Sequence, residues 1–540
     1  MITITLTDGT FKDVPRGSTF LEISDIFAIK DVVAVKTKDN IISLSEQVKN
    51  NITIEFITSN SFYGVGIYRA GLKLLFQVAL KRVIKDAEVS YEHSVPGGVL
   101  CLINNGEQIN REDVVKIKEV MDELVKQNKK IRKLNIRKRE AIEYYKENKE
   151  QEKAKNVSSI TDKVVALYEL EGVYNYFYSD MPNSTGLLKS FDLEYLGENK
   201  IILVMPDKQN LVPEYTHHKD IIKTFYDSKK WLEALSMSYV MNLNETVGNT
   251  EIKTFMKSSE LMFDINISKL ADRIDKEKKY RFIMIAGPSS SGKTTTTKRL
   301  SEYLRTKGYD PIPISSDDYF IDRDKLIKDE NGELDFENIE AIDLKYLNND
   351  IHKLLRGESI IPPTYNFISG KKTLNNKPIK LEENSILLIE GLHSLNDRLL
   401  PNINKDEVFK IYLSPFIPLN IDKHNYVSTL DLRLIRRMVR DNLTRGYGVD
   451  RTMHAWQKVR AGEEKWIFPF INEANVIINT ALVYELGVLK VFAEPLLLNI
   501  DVDSEYYLEA KRLLNFLKPF FSIPGEYVDK DSILREFIGG

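Results

Sequence analysis

Cysteine is almost missing from this chain: Cys101 is the single one in 540 residues. One thiol cannot close an internal disulfide, so no framework of that kind staples the fold. Its setting, Gly98-Val99-Leu100-Cys101-Leu102-Ile103, reads as a strand, with Cys101 as a small buried hydrophobe. Long apolar runs are missing too. No stretch of 18 apolar residues occurs, which argues against a membrane-spanning helix. Neither sign of charge dominates: 76 Lys and Arg face 79 Asp and Glu, a net of −3. That excludes the global basic field of a dedicated nucleic-acid binder. The start, Met1-Ile2-Thr3-Ile4-Thr5-Leu6, alternates and lacks the apolar core of a secretory signal. A cytoplasmic setting is expected. Hydrophobic residues make up 42%, enough for real cores, and the length suggests three or four domains.

The most informative stretch is residues 282–297. Phe282 to Ala286 is an apolar run that reads as a buried strand, and Gly287-Pro288-Ser289-Ser290-Ser291-Gly292-Lys293-Thr294 follows. Two glycines bracketing four residues, then Lys and Thr, make a complete phosphate-binding loop. Glycine lets the chain curl so that backbone N–H groups converge on phosphate oxygens. Lys293 is placed to reach the β- and γ-phosphates of ATP, and the Thr294 hydroxyl to sit on Mg²⁺. Thr295 continues into the next helix and joins the nucleotide-binding set.

Downstream, Ile312-Pro313-Ile314 leads as a short strand into Ser315-Ser316-Asp317-Asp318-Tyr319. A carboxylate at the carboxyl edge of the sheet can accept a proton from an attacking hydroxyl. Asp317 is the first candidate and Asp318 the second. Leu344 to Leu355 reads as an amphipathic helix. In Pro362-Pro363-Thr364-Tyr365-Asn366-Phe367, Tyr365 and Phe367 are open to two readings, stacking on a substrate ring or core packing. Ser385 to Ile389 is a second apolar strand ending at Glu390, a carboxylate suited to Mg²⁺. Arg433, Arg436, Arg437 and Arg440 recur at i, i+3, i+4 and i+7 of a helix. Like charges on one side are unfavourable unless an anion lies opposite. The expectation is a lid that closes these arginines, and Arg445 after them, over the transferring phosphate.

The first half reads differently. Residues 1–60 alternate in hairpins around a short helix near Phe20 to Ile29, which suggests a β-grasp unit. Residues 67–84 read as a helix, and Asn110 with Asp113 as the cap of another. Residues 126–155 are dense in Lys and Arg, read as a solvated helix with an RNA-facing patch as the alternative; nearby glutamates blunt that field. Trp231 to Tyr239 continues a helical pattern, Thr246 to Thr250 reads as an exposed loop, and 251–278 as largely helical.

The order of these blocks, with Ala79 to Val89 and Asp180-Met181-Pro182-Asn183, resembles the N-terminal half of threonyl-tRNA synthetases. The resemblance implies a TGS domain at 1–60 and an editing-like α+β domain at 61–245; a helical connector at 246–275 then leads into the phosphate-loop half at 276–540. That family's metal-binding positions fall here on Ala70, Leu74, Tyr176 and Asp180, so hydrolytic editing and zinc are not expected.

The C-terminal half resembles the uridine kinase/phosphoribulokinase family. The resemblance rests on Gly287–Thr294, Ile314 to Phe320, Pro363 to Phe367, Ile389-Glu390-Gly391 and Leu432 to Asp441. It implies an α/β P-loop fold with a parallel sheet, ATP and Mg²⁺ as cofactors, and a nucleoside acceptor, uridine or cytidine first. Asp317 becomes the base, Lys293, Arg437 and Arg440 the catalytic cations, Thr294 and Glu390 the Mg²⁺ site, and Arg445 a nucleotide contact. Asp317, Tyr319, Tyr365, Phe367 and Arg436 become acceptor contacts. This chain has Asp317-Asp318-Tyr319-Phe320 where the family has Asp-Ser-Phe-Tyr, so the acceptor loop can differ. Two other readings stay open: a related kinase for another small alcohol or sugar phosphate, and an RNA- or ribosome-associated ATPase. A homo-oligomer is left open as well.

Overall fold

The structure is a computed structural model. It describes every residue except 105, 107, 160, 161, 208, 250, 327, 329–331, 333, 375 and 376. The first sheet is built from Ile2–Leu6, Phe11–Val14, Val32–Lys36, Ile41–Ile42 and Ile52–Thr58, taken in chain order. In space the order is second, first, fifth, third, fourth. The first and fifth strands run parallel and the other neighbours antiparallel. Their apolar alternation buries Ile4, Val35 and Ile54 against Phe20 and Ile23 of the helix Phe20–Phe27. Thr19 and Glu22 close a capping box at that helix's start.

The next unit wraps a four-stranded antiparallel sheet and a three-stranded one around the helix Phe62–Val83. Asn110 and Asp113 form the expected capping box of Arg111–Lys126. The basic stretch departs from the sequence reading. Arg132–Arg137 is a strand paired with Val164–Leu170, and two helices, Lys138–Glu147 and Gln151–Ser159, follow it. Leu134 and Ile136 alternate with polar neighbours, and that period of two outweighs the helical reading. The helix Lys219–Ala234 also stops before Tyr239. Ser236 is left-handed (φ 55°), and Val240–Gly248 starts anew. Thr246 to Gly248 are thus helical rather than a loop, while Thr250 lies outside the described residues.

The C-terminal half is a five-stranded parallel sheet. Its spatial order is Asp310–Ser315, Ser385–Gly391, Phe282–Ala286, Val408–Ser414, Val476–Asn479. The central strand, Phe282–Ala286, is buried throughout, as its unbroken apolar run requires. The expected strand near residue 312 and the helix Leu344–Leu355 are both in place. The long helix Ile252–Glu277 packs on the sheet beside Lys293–Thr306. A segment before the arginine helix binds the halves together. Lys423 O accepts from the Tyr91 N–H at 2.8 Å, Asn420 Nδ2 donates to Tyr91 O, and Asn420 O accepts from the Val240 N–H. Among the described residues no helix is long and apolar enough to cross a membrane.

Candidate active site

The phosphate loop leaves the carboxyl end of the central strand, so the sheet itself aims it. A Cβ on Gly287 would lie 2.8 Å from Leu413 O and 2.5 Å from the Ser291 hydroxyl, so this position admits no side chain without displacement. Gly292 is left-handed (φ 82°), the conformation that turns the loop into the helix Lys293–Thr306. Three successive carbonyls of the loop are held by the arginine helix and Thr480. Ser289 O accepts from Arg433 Nε at 2.9 Å, Ser290 O from Arg436 Nη1 at 3.2 Å, and Ser291 O from Thr480 Oγ1 at 2.6 Å. In a trans peptide the following N–H points the opposite way, which turns those of Ser290 and Gly292 toward the other side.

The arginine helix is Thr429–Arg445, and it is a core element rather than a lid. Arg433 and Arg436 are only 2% and 0% exposed. Arg433 forms a two-pronged pair with Glu463, and Arg436 Nε donates to Glu485 Oε2 at 2.7 Å. Arg436 therefore cannot serve as an acceptor contact. The electrostatic argument holds, but the opposing anions are carboxylates of the same chain. Arg437, Arg440 and Arg445 differ: all three share the single carboxylate of Asp441, at 3.3, 2.8 and 3.2 Å. Asp441 thus meets three cations, and Glu337 bears on Arg437 and Asp317 on Arg445 as well. Arg437 Nη1 also donates to Ser289 Oγ at 2.9 Å.

Lys293 Nζ donates to Gly287 O and Pro288 O. The Thr294 hydroxyl donates to Glu390 at 3.1 Å, while Thr295, placed in the nucleotide set above, gives both its N–H and hydroxyl to Glu536. Glu390 and Ser315 are register partners on adjacent strands, so Asp317, two residues on, shares the same sheet edge. Among the described residues no side chain or N–H donates to the Asp317 carboxylate. Burial raises its pKa against the opposing charges of Lys293 and Arg445. Asp318 is engaged: its Oδ1 accepts from the Tyr365 N–H at 3.0 Å and anchors the hairpin of Pro363–Asn366 and Lys371–Leu374.

Two expected acceptor contacts are core residues. Tyr319 is fully buried, and its hydroxyl donates to Asp350 Oδ2 at 3.1 Å. Tyr365 is buried between Phe320 and Phe367, with ring centroids 5.6 and 5.1 Å away. Both rings lie where the hairpin meets the sheet, and apolar packing claims them. Phe367 remains half-buried with the Arg445 guanidinium 5.3 Å over its ring.

Glu337 escaped the sequence reading. Burial pushes its carboxyl up to about 8, with Arg437 and Lys293 opposing and Glu463 and Asp317 adding to the rise. It sits against Gly462, where any Cβ would collide with it. The available signal was a carboxylate between apolar Phe336 and Ile339. Glu463 and Glu485 were legible only as a need for counter-charges.

The donor set suits Mg²⁺: a hydroxyl and a carboxylate are hard oxygen ligands. Burial lifts Glu390 up to about 7 from its ordinary 4.5, with Lys293 opposing and Asp317 adding to the rise. A carboxyl raised in the folded state favours folding while protonated and loses that contribution as pH climbs through the folded value. Without divalent cations, stability attributable to Glu390 should therefore decline as pH rises from about 4.5 through about 7. Denaturant midpoints at pH 5 and pH 8 should differ less in Glu390→Gln than in the unmodified chain; equal differences would refute this.

Residues 282–485 match the model of the phosphoribulokinase/uridine kinase family. Over 203 residues the chain is 30% identical to a uridine kinase of Anoxybacillus flavithermus, covering 37% of this chain and 86% of that protein. Over 198 residues it is 28% identical to a uridine kinase of Staphylococcus aureus, covering 36% and 86%. The parallel sheet, the phosphate loop at its central strand and these matches agree, and the chain belongs to the phosphoribulokinase/uridine kinase family of ATP-dependent phosphotransferases.

Proposed function

We propose that the C-terminal half transfers the γ-phosphate of ATP to the 5′-hydroxyl of a nucleoside, uridine or cytidine first. The observation that carries this is the Asp317 carboxylate, unengaged at the sheet edge beside Lys293 and close to Glu390. The acceptor oxygen attacks the γ-phosphorus and gives its proton to Asp317. The bond from that phosphorus to the β-bridging oxygen breaks, and ADP leaves. Lys293 holds the β- and γ-phosphates, and Arg437 and Arg440 balance the charge that spreads over the phosphoryl oxygens. Thr294 and Glu390 would hold Mg²⁺, which when bound neutralises phosphate charge. Glu337, which feels both Asp317 and Arg437, is suited to hydrogen-bond the acceptor's hydroxyls, and Phe367 offers a ring face.

A substrate panel tests the reading. Purified protein with Mg²⁺ and ATP should release ADP with uridine or cytidine, and more slowly or not at all with ribulose 5-phosphate and pantothenate. No turnover with any nucleoside would sink the proposal. A sugar-phosphate acceptor would call for further cations to meet its second phosphate, and Arg433 and Arg436 are both held, by Glu463 and Glu485. The RNA alternative relied on the basic stretch, where Arg132 pairs with Glu169 and Lys133 with Asp180, at 2.6 and 2.7 Å.

For the first half we propose a TGS-like β-grasp domain at 1–60, an editing-like domain at 61–245 and a connector at 246–275. The strand order of the first sheet supports the β-grasp reading. Ala70 and Leu74 are buried in their helix, and Asp180 already takes Lys133 and the Tyr168 hydroxyl, which supports a domain without zinc-dependent hydrolysis.

A further inference from the structure

The helix Phe62–Val83 carries two cations, Arg69 and Lys73, that face the kinase half. Arg69 and Lys73 stand four residues apart, on one face, where this helix meets the kinase half. Among the described residues neither forms an ion pair with a carboxylate. Arg69 Nε is buried without a hydrogen-bond partner. Lys73 Nζ lies among three rings, 5.6 Å from the centre of Tyr91, 5.2 Å from Phe177 and 5.4 Å from Tyr426. Arg460, from the kinase helix Val449–Trp466, adds positive charge toward Arg69, with Glu464 a weaker opposing influence. The carboxylate that bears on Lys73 is Asp422, already engaged by Asn425 Nδ2, the His424 N–H and Asn156 Nδ2.

Burying cations without partners opposes folding. Arg69 and Lys73 both keep partial exposure where the two halves meet. A guanidinium forks onto an oxyanion, an ammonium adds a point charge, and aromatic faces receive a planar body. We propose that Arg69, Lys73 and the ring of Tyr426 form a second ligand site, between the N-terminal half and the kinase half, for a small phosphorylated molecule with a planar ring. The site is separate from the phosphate loop. It borders the elements that hold that loop, since Tyr426 precedes the arginine helix and Arg460 shares a helix with Glu463.

The test uses inorganic phosphate and the full chain carrying Lys293→Ala, which weakens phosphate binding at the loop. Millimolar phosphate should raise the melting temperature of this chain by about 2–4 °C. Adding Arg69→Met with Lys73→Met should abolish the rise, and should raise the melting temperature without phosphate, because an unfavourable pair of charges is gone. The proposal is overturned if phosphate gives no rise in the Lys293→Ala chain. It is also overturned if the rise survives the double substitution, or if the double variant melts lower. Should the double variant not fold, Arg69→Gln must still remove most of the rise, and a rise that persists there overturns the proposal.

Discussion

Asp317→Asn lowers turnover by about 10²–10⁴ while ATP affinity stays within about threefold. The change keeps size and shape and removes only the basic carboxylate. Nothing in the surrounding packing depends on that carboxylate, since no described group donates to it. Asp318→Asn is the decisive contrast. Its Oδ1 anchors the hairpin by accepting the Tyr365 N–H, and an asparagine oxygen accepts the same bond. Near-normal turnover is expected there. Lys293→Ala should instead weaken ATP binding and turnover together, because its ammonium meets the phosphates in the ground state as well. Acceptor-dependent ADP release, measured beside ATP binding for each variant, separates these outcomes. If Asp318→Asn loses turnover and Asp317→Asn keeps it, the base is the neighbouring residue. If both keep it, no carboxylate of this loop is the base.

The second large effect is on stability. Glu485→Ala leaves the Arg436 guanidinium, wholly buried, without its carboxylate. Breaking a buried pair by removing one partner destabilises by about 3–5 kcal/mol. The other contacts of Arg436, to Ser290 O and Thr480 O, are neutral carbonyls and cannot balance the charge. Denaturant titration of the variant measures the loss. Arg436→Met combined with Glu485→Leu should recover much of it, because apolar groups of similar volume can replace the pair. That double variant should still bind ATP more weakly, since the carbonyl of Ser290 loses its donor. A loss under about 1 kcal/mol in Glu485→Ala would show that Arg436 finds another anion and that the pair is not a support of the loop.

Much of the architecture was legible because it is written in local patterns. The buried strand Phe282–Ala286, the loop up to Thr294, the capping box at Asn110 and the helix Leu344–Leu355 each depend on residues within a few positions of one another. Spacing, glycine conformation and side-chain caps act over that range, so a single sequence carries them. The basic strand Arg132–Arg137 was missed because charge density masked a period of two that only its pairing with Val164–Leu170 makes decisive.

The availability of each side chain was a different matter. Helical spacing put four arginines on one side, but it is silent on which carboxylates arrive to meet them. Glu463 and Glu485 come from 30 and 49 residues away and take Arg433 and Arg436, while Arg437, Arg440 and Arg445 share Asp441. In the same way Tyr319 and Tyr365 looked as free as Phe367 until packing buried the first two, and Glu337 entered the site from a loop without a motif. The sequence by itself determined where a phosphate is held, because backbone curvature and helix entry are local. Which charges remain free to act on it was decided only by tertiary structure, because burial and ion pairing depend on distant segments brought together.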